Sequence, residues 1–263
     1  MTEAALDLFA KEYALHRADE GRGYSPDTLL ELPYAKAGPH AAQWRIRART
    51  FEAFMRLLRH TSAHLGRALT VLDLGAGSGW LAYRAALEGH HAFALDIRAD
   101  TVDGLGAARL FLRSASAMEC IVAPFDAVPL PSGSIDIALF NASLHYATDL
   151  CRVLRESTRL VRPGGLIAIM DSPFYRRESD GLAMIADKRR SAAEQFGARA
   201  DALMGLPFIE FLTRERLREA LPELVWERHR VSYPLAYELR PLIAALKGKR
   251  RPSRFDLWIG RRP

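Results

Sequence analysis

The sequence predicts an α/β protein built on a doubly wound parallel sheet, and three observations carry that prediction. From residue 70 onward short apolar runs alternate with segments of helical length, a glycine-rich turn follows the first run, and an acid closes the second. Short apolar runs bounded by turns read as strands buried on both faces, the pattern of a parallel sheet. Each parallel neighbour needs a crossover connection, and the crossovers cover both faces of the sheet.

The elements follow in order. Residues 1–60 read as an N-terminal helical cap. Leu6, Phe9, Ala10 and Tyr13 repeat at helical spacing, Gly21, Gly23, Ser25 and Pro26 break the chain, and Trp44, Ala48, Phe51, Met55 and Leu58 form a second stripe. Both stripes read as core packing, with Tyr13 and Tyr24 kept as candidate pocket residues. Residues 61–171 form the core, with strands expected at Thr70–Leu74, Ala92–Asp96, Cys120–Ala123, Ile135–Asn141 and Leu166–Met170. Helices are expected between them near Trp80–Glu88, Asp100–Ala115 and Asp149–Val161. Residues 172–222 insert mostly helical sequence, in which Thr213 caps a helix that runs to Leu221 and stops at Pro222. Residues 223–263 close the sheet with strands at 225–233 and 254–260, joined by a solvated hairpin connection that holds the basic run KGKRRPSR. Residues 1–36 and 172–222 are expected to fold over the site as a mobile lid, since nothing in the core sheet requires them.

At 263 residues the chain is expected to form one large domain or one domain with an appendage. Hydrophobic residues at 49% and charged residues at 26% exclude the disordered, collagen-like and coiled-coil classes. Cys120 and Cys151 make no disulfide framework, and without a CxxC or Cys/His cluster no metal site is expected; a cytoplasmic location fits best. The amino terminus lacks the basic start and apolar centre of a signal peptide, and no run approaches the ~20 apolar residues of a membrane helix, so no membrane insertion is expected. The 37 basic and 31 acidic side chains leave a net charge of +6. Residues 247–263 alone hold seven basic side chains against one acid, Asp256. The rest of the chain is balanced, which argues against a nucleic-acid partner, whose footprint spreads over a folded face. A monomer or homodimer acting on a small molecule is the expectation.

The chemistry concentrates in Val71-Leu72-Asp73-Leu74-Gly75-Ala76-Gly77-Ser78-Gly79-Trp80. A strand ends at Leu74, glycines let the backbone turn sharply and approach a ligand, and a helix start aims free N–H groups into the turn. The spacing is GxGxG rather than the GxGxxG of dinucleotide binders, and Asp73 sits just before the turn, where an acid can reach an ammonium or the water around one. That suits an amino-acid-bearing ligand better than a diphosphate. Asp96 closes the second strand, where its two oxygens can accept both hydroxyls of a ribose. Asp126 follows the third strand, placed to accept from an exocyclic adenine amine.

With the Asp126-Ala127-Val128-Pro129-Leu130-Pro131 turn, the run Ser134 to Tyr146, and Leu160-Val161-Arg162-Pro163-Gly164-Gly165-Leu166, these motifs resemble the class I S-adenosylmethionine-dependent methyltransferases. They look most like the small-molecule branch that includes the ubiquinone/menaquinone-type C-methyltransferases. The similarity spans roughly residues 68–173. It implies a Rossmann-like, seven-stranded sheet with the last strand antiparallel, and S-adenosylmethionine as cofactor with S-adenosylhomocysteine as product. Carried over, Gly75, Ala76, Gly77, Ser78 and Gly79 line the methionine moiety and sugar, with Asp73 at the amino group. Asp96 holds the ribose, Ile97 packs on the adenine, Asp126 and Ala127 meet the base, and Asn141 closes the floor near the sulfonium. For Asn141 and His145 a strand-end or helix-cap role is an equal reading.

In-line transfer from a sulfonium needs little beyond alignment, and a base only where the nucleophile must lose a proton. His145, which as an imidazole titrates near neutrality, is the candidate base. Tyr146, Tyr175 and Arg176 join Tyr13 and Tyr24 as candidate substrate-pocket residues. After the fourth strand the chain reads Asn141-Ala142-Ser143-Leu144, without the Asn/Asp-Pro-Pro-aromatic run of amide and amino-nitrogen methyltransferases. Cys120 and Cys151 lie outside the context of an RNA cytosine-C5 nucleophile. The expected reaction is O-, N- or C-methylation of a small molecule, with an RNA methyltransferase or an RNA-binding protein using the basic carboxyl-terminal loop as the alternative.

Overall fold

The computed structural model describes residues 3–263. Three helices lead, α1 (Glu3–Asp19), α2 (Pro26–Glu31) and α3 (Ala41–Leu65). The parallel part of the sheet follows through β1 (Thr70–Leu74), α4 (Trp80–Leu87), β2 (His91–Asp96), α5 (Arg109–Leu112), β3 (Met118–Val122), β4 (Ile135–Asn141), α6 (Leu150–Leu160) and β5 (Val161–Met170). An insertion carries α7 (Glu178–Arg190), α8 (Ala192–Phe196), α9 (Ala200–Met204) and α10 (Arg214–Ala220). The chain closes with β6 (Trp226–His229), α11 (Leu235–Glu238), α12 (Arg240–Leu246) and β7 (Leu257–Arg261).

The seven strands lie in the order β3-β2-β1-β4-β5-β7-β6. β1 to β5 are mutually parallel, and β7 runs antiparallel to both β5 and β6. The sheet is therefore doubly wound, as the sequence pattern predicts, and seven-stranded with an antiparallel last strand, as the resemblance implies. Strand order reverses at β1, which pairs with β2 on one side and β4 on the other, and such a switch point opens a crevice at the carboxyl ends of the strands. Every residue of β4 is buried, as a strand covered on both faces must be. Successive residues of β1 feed opposite layers: Val71 belongs to the core cluster of Phe54, Leu58 and Leu81, and Leu72 to that of Leu154, Ile167 and Leu217. Burying each such side chain contributes roughly 1.5–3 kcal/mol.

One buried acid lies at the amino-terminal edge of the sheet. Asp136 accepts from both Nη atoms of Arg67 (2.9 and 2.6 Å) and from the Thr70 N–H (2.7 Å), and pairs with Arg162 at 3.0 Å. Burial pushes this carboxyl up, but the Arg67 and Thr70 hydrogen bonds and the Arg162 charge outweigh it and hold the group below the ordinary carboxylate range.

Several boundaries differ from expectation, each for a local reason. A division at residue 60 falls inside α3, which runs on to Leu65 with its stripe buried in the same core as β1. Leu29, Leu32 and Ala35 join that core too, so residues 1–36 are not detachable from it as a whole, and the first two residues of the expected cap lie outside the described ones. The long helix expected at 100–115 is a 3₁₀ turn, Leu105–Ala108, followed by the single turn α5. Asp100 explains this: one carboxylate oxygen accepts from the N–H groups of Val102, Asp103 and Gly104, an alternative to helical bonding. β3 begins two residues early, β5 begins at Val161, and the closing strands shorten to β6 and β7. Between those two strands the expected hairpin loop is instead α11, α12 and an arm tied to its neighbours. Arg254 pairs with Glu238 and Asp256, and Arg250 pairs with Asp187 and donates to the Tyr175 hydroxyl.

Candidate active site

The carboxyl ends of β1, β2 and β4 open into a cavity of about 1180 Å³, its open mouth included. Its floor is the turn after β1. Gly75 and Gly77 take left-handed backbone angles (φ 75° and 57°), and a Cβ on Gly75 would lie 2.5 Å from that of Ser143. The Gly75 and Ala76 N–H groups donate to Leu95 O at 2.8 and 2.9 Å, stitching the turn to the end of β2. Asp96, at that end, accepts from the Gly77 N–H (2.8 Å) and the Arg98 N–H (2.9 Å) on separate oxygens. Each oxygen keeps a lone pair for a further donor. Burial holds this carboxyl above its ordinary range, with Arg98 and the two backbone donors opposing.

Beneath the turn lies Asp73, fully buried, and neither of its carboxylate oxygens has a hydrogen-bond partner. Burial, with the charge of Asp96 adding and that of Arg47 opposing, pushes it up to about 8. A buried polar group without a partner is costly, so these two oxygens are suited to accept from a cationic or hydrogen-bonding group.

The opposite wall is built around Arg47 of α3. Its Nε donates to Asp171 (2.9 Å) and its Nη2 to the Asn141 side-chain oxygen (2.8 Å), while the guanidinium lies 4.5 Å from the Trp44 ring centre. Thr50 donates to the other Asp171 oxygen at 2.6 Å. Ala142 and Asp171, which follow β4 and β5, both adopt left-handed backbone conformations (φ 58° and 55°), strain of the kind that collects at functional sites. The roof is aromatic. Phe9 and Tyr13 of α1 meet Tyr146 and Phe208, and the Tyr13 and Tyr146 hydroxyls share a hydrogen bond of 2.9 Å. Arg17 pins α1 to the loop after β2 through Asp103 at 2.6 Å.

Residues 72–169 match the family model described as a methyltransferase domain. Among known proteins, the chain is 33% identical over 113 residues to a malonyl-[acyl-carrier protein] O-methyltransferase of Erwinia pyrifoliae, covering 43% of this chain and 40% of that one. It is 30% identical over 124 residues to a ubiquinone/menaquinone biosynthesis C-methyltransferase of Methylobacterium nodulans, covering 46% and 48%. The chain thus spans less than half the length of these two relatives. A solved structure, the geranyl diphosphate C-methyltransferase of Streptomyces coelicolor, superposes with a TM-score of 0.53 at 17% identity, over 86% of this chain and 85% of that one, which speaks for the fold.

The fold brings Gly75, Ala76, Gly77, Ser78, Asp96, Ile97, Asp126, Asn141, Tyr13, Tyr24 and Tyr146 to the cavity wall. It does not bring the remaining candidates there. Asp73 lies beneath the floor. Gly79 faces the sheet, where a Cβ would meet Met118 at 2.8 Å. Ala127 sits past the wall formed by Phe125 and Asp126, and Asp126 is paired with Arg152 at 3.0 Å. His145 turns away: its Nδ1 meets Ser172 Oγ at 3.3 Å, its ring packs on Tyr146, and burial with the nearby Lys188 charge lowers it to about 3. An imidazole so lowered is a feeble base at neutrality. Tyr175 is held by Arg250 against Phe211, and Arg176 is exposed, both away from the cavity. Arg47, Arg17 and Phe208 are among the wall residues that sequence reasoning missed. The spacing of Arg47, three residues after Trp44 on the buried stripe, was the available signal for the first.

Proposed function

We propose that the chain is an S-adenosylmethionine-dependent methyltransferase that moves a methyl group in line to an O, N or C nucleophile of a small molecule. The observation that carries this reading is the unpartnered carboxylate of Asp73 beneath a glycine turn, with Asp96 and Asp126 at the next two strand tips. These residues fit the cofactor. Asp73 meets its ammonium, directly or through water, and Asp96 offers its spare lone pairs to the ribose hydroxyls. Ile97 and Phe125 flank the base, and Asp126 with Ala127 takes its edge. Asn141, fixed by Arg47, closes the floor on the sulfonium side. The cofactor supplies an activated leaving group; the chain supplies alignment and exclusion of water.

The acceptor enters under the aromatic roof. Burial raises the Tyr146 hydroxyl well above its ordinary range, with Tyr13 adding, so it stays protonated and serves as a wall and a donor. With His145 outside the cavity, the reading favours an acceptor whose nucleophile needs no proton removed by the protein, such as a carboxylate oxygen or an already ionised carbon acid. The relatives' names, a malonyl-[acyl-carrier protein] O-methyltransferase and a ubiquinone/menaquinone biosynthesis C-methyltransferase, support O and C acceptors. α1 and the 172–222 insertion serve as the lid. Arg199 joins them through Glu12 (3.7 Å) and Asp19 (2.5 Å). The RNA reading is less favoured because Arg250 and Arg254 of the basic run are already paired with carboxylates.

The test is calorimetry with S-adenosylmethionine, followed by a screen of metabolite pools with labelled cofactor. Saturable heat and label in a small-molecule fraction are expected. Absence of heat at millimolar cofactor with folded protein would refute the reading.

A further inference from the structure

The connection between β6 and β7 leaves an apolar stripe in solvent. The backbone bonds from Leu239 to Leu235, Ile243 to Leu239 and Lys247 to Ile243 make α11 and α12 one nearly continuous helical rod. Leu235, Leu239, Leu242, Ile243 and Leu246 recur along it at helical spacing, and all five are exposed, with Leu235 at 72%, Leu242 at 57% and Leu246 at 80%. The opposite face is the anchored one, since Tyr237 is buried, packs against Tyr233, and accepts from the Phe255 N–H. A stripe of this size facing water marks an interaction site.

The charge beside the stripe selects the partner. Lys247, Lys249 and Arg251 follow directly, are exposed, and form no ion pair among the described residues. Arg250 and Arg254 of the same arm are already paired with carboxylates, which leaves these three as the arm's free cations among the described residues. An aliphatic stripe with a basic border is the pattern of a helix that lies in the interface of an anionic bilayer, its apolar face among the acyl chains and its cations at the headgroups. No helix among the described residues is long and apolar enough to cross a membrane, so the contact is peripheral. We infer that the α11–α12 rod and its basic arm form a docking surface for anionic lipid membranes.

The measurement is co-sedimentation of the full chain with vesicles of phosphatidylcholine alone or phosphatidylcholine mixed with phosphatidylglycerol, at low salt and at molar salt, where the screening length falls to about 3 Å. Binding is expected to the anionic vesicles only, and to weaken at least about tenfold in molar salt. The variant Leu242→Gln/Leu246→Gln and the variant Lys247→Gln/Lys249→Gln/Arg251→Gln should each lose at least about tenfold in affinity. Since all five positions are exposed, thermal melting should stay close to wild type. Three results would overturn the inference: no sedimentation with anionic vesicles, undiminished binding by both variants, or a lipid-free dimer that Leu242→Gln/Leu246→Gln converts to a monomer.

Discussion

Asp136 and Asp73 are both buried in strands of one sheet, on adjacent β4 and β1, yet they stand in opposite states. At the amino-terminal edge Asp136 is surrounded by Arg67, Arg162 and a backbone N–H, and its carboxyl is held below the ordinary range. Towards the carboxyl-terminal edge Asp73 has no partner and is pushed up to about 8. The same fold that completes Asp136 at one end leaves Asp73 open at the other. Burial makes an unpartnered carboxylate expensive, so its survival at the strand tips is best explained by a ligand that completes it. On the proposed reading the amino-terminal edge serves stability and the carboxyl-terminal edge serves binding.

The comparison breaks first at Asp136. Asp136→Ala strands the Thr70 N–H and two arginines, and should cost about 2–4 kcal/mol, the lower values reflecting the partial exposure of Arg67 and Arg162. Chemical denaturation reads this directly, while cofactor affinity per folded molecule stays unchanged. The deficit should shrink in acid, because the stability due to a depressed carboxyl is present above its unfolded value near 4 and is lost as pH falls through the folded one.

Asp73→Asn should do the reverse. Cofactor affinity falls by about 1.5–3 kcal/mol, the scale of one charged hydrogen bond, while stability holds or rises. Because the folded carboxyl titrates near 8 and the unfolded one near 4, the native state holds an extra proton between those values. Wild type therefore loses stability as pH rises through that window, and the variant does not. Parallel melts from acid to alkaline pH check it. A wild-type protein that gains stability over the same window would contradict the state assigned to Asp73.

Asp96→Ala removes the acceptor of the Gly77 and Arg98 N–H groups, and should weaken nucleoside binding by a similar 1.5–3 kcal/mol for each charged hydrogen bond lost, read by calorimetry with adenosine and with the full cofactor. The smallest effect belongs to His145. A general base contributes about 10²–10⁴ in rate, so His145→Gln should change kcat by far less than that and leave its pH profile in place. A hundredfold loss would return the imidazole to the chemistry.

What the sequence made legible follows from local pattern. Continuous apolar runs marked β1, β2 and β4 to within a residue, because burial on both faces leaves no other reading. The glycine turn and Asp96 were visible because spacing along one strand–turn–helix unit places them. Arg47 was not, since its partners lie 94 and 124 positions away and only folding brings Asn141 and Asp171 to it. His145 and Tyr146 are adjacent in sequence, but a short 3₁₀ turn sends one into the cavity wall and the other behind it. The stripe from Leu235 to Leu246 has the same periodicity as the buried stripe of α3, and periodicity tells that a face is apolar without telling what covers it.

The central claim, that Asp73 is held open for a cationic group of the ligand, is tested most directly by calorimetry of S-adenosylmethionine binding at neutral pH in two buffers of different ionisation enthalpy. Asp73 is largely protonated there in the free protein, so binding an ammonium beside it should expel close to one proton. The account predicts a buffer-dependent heat in the wild type that disappears in Asp73→Asn together with most of the affinity. Equal affinity and equal, buffer-independent heats in the two proteins would contradict it.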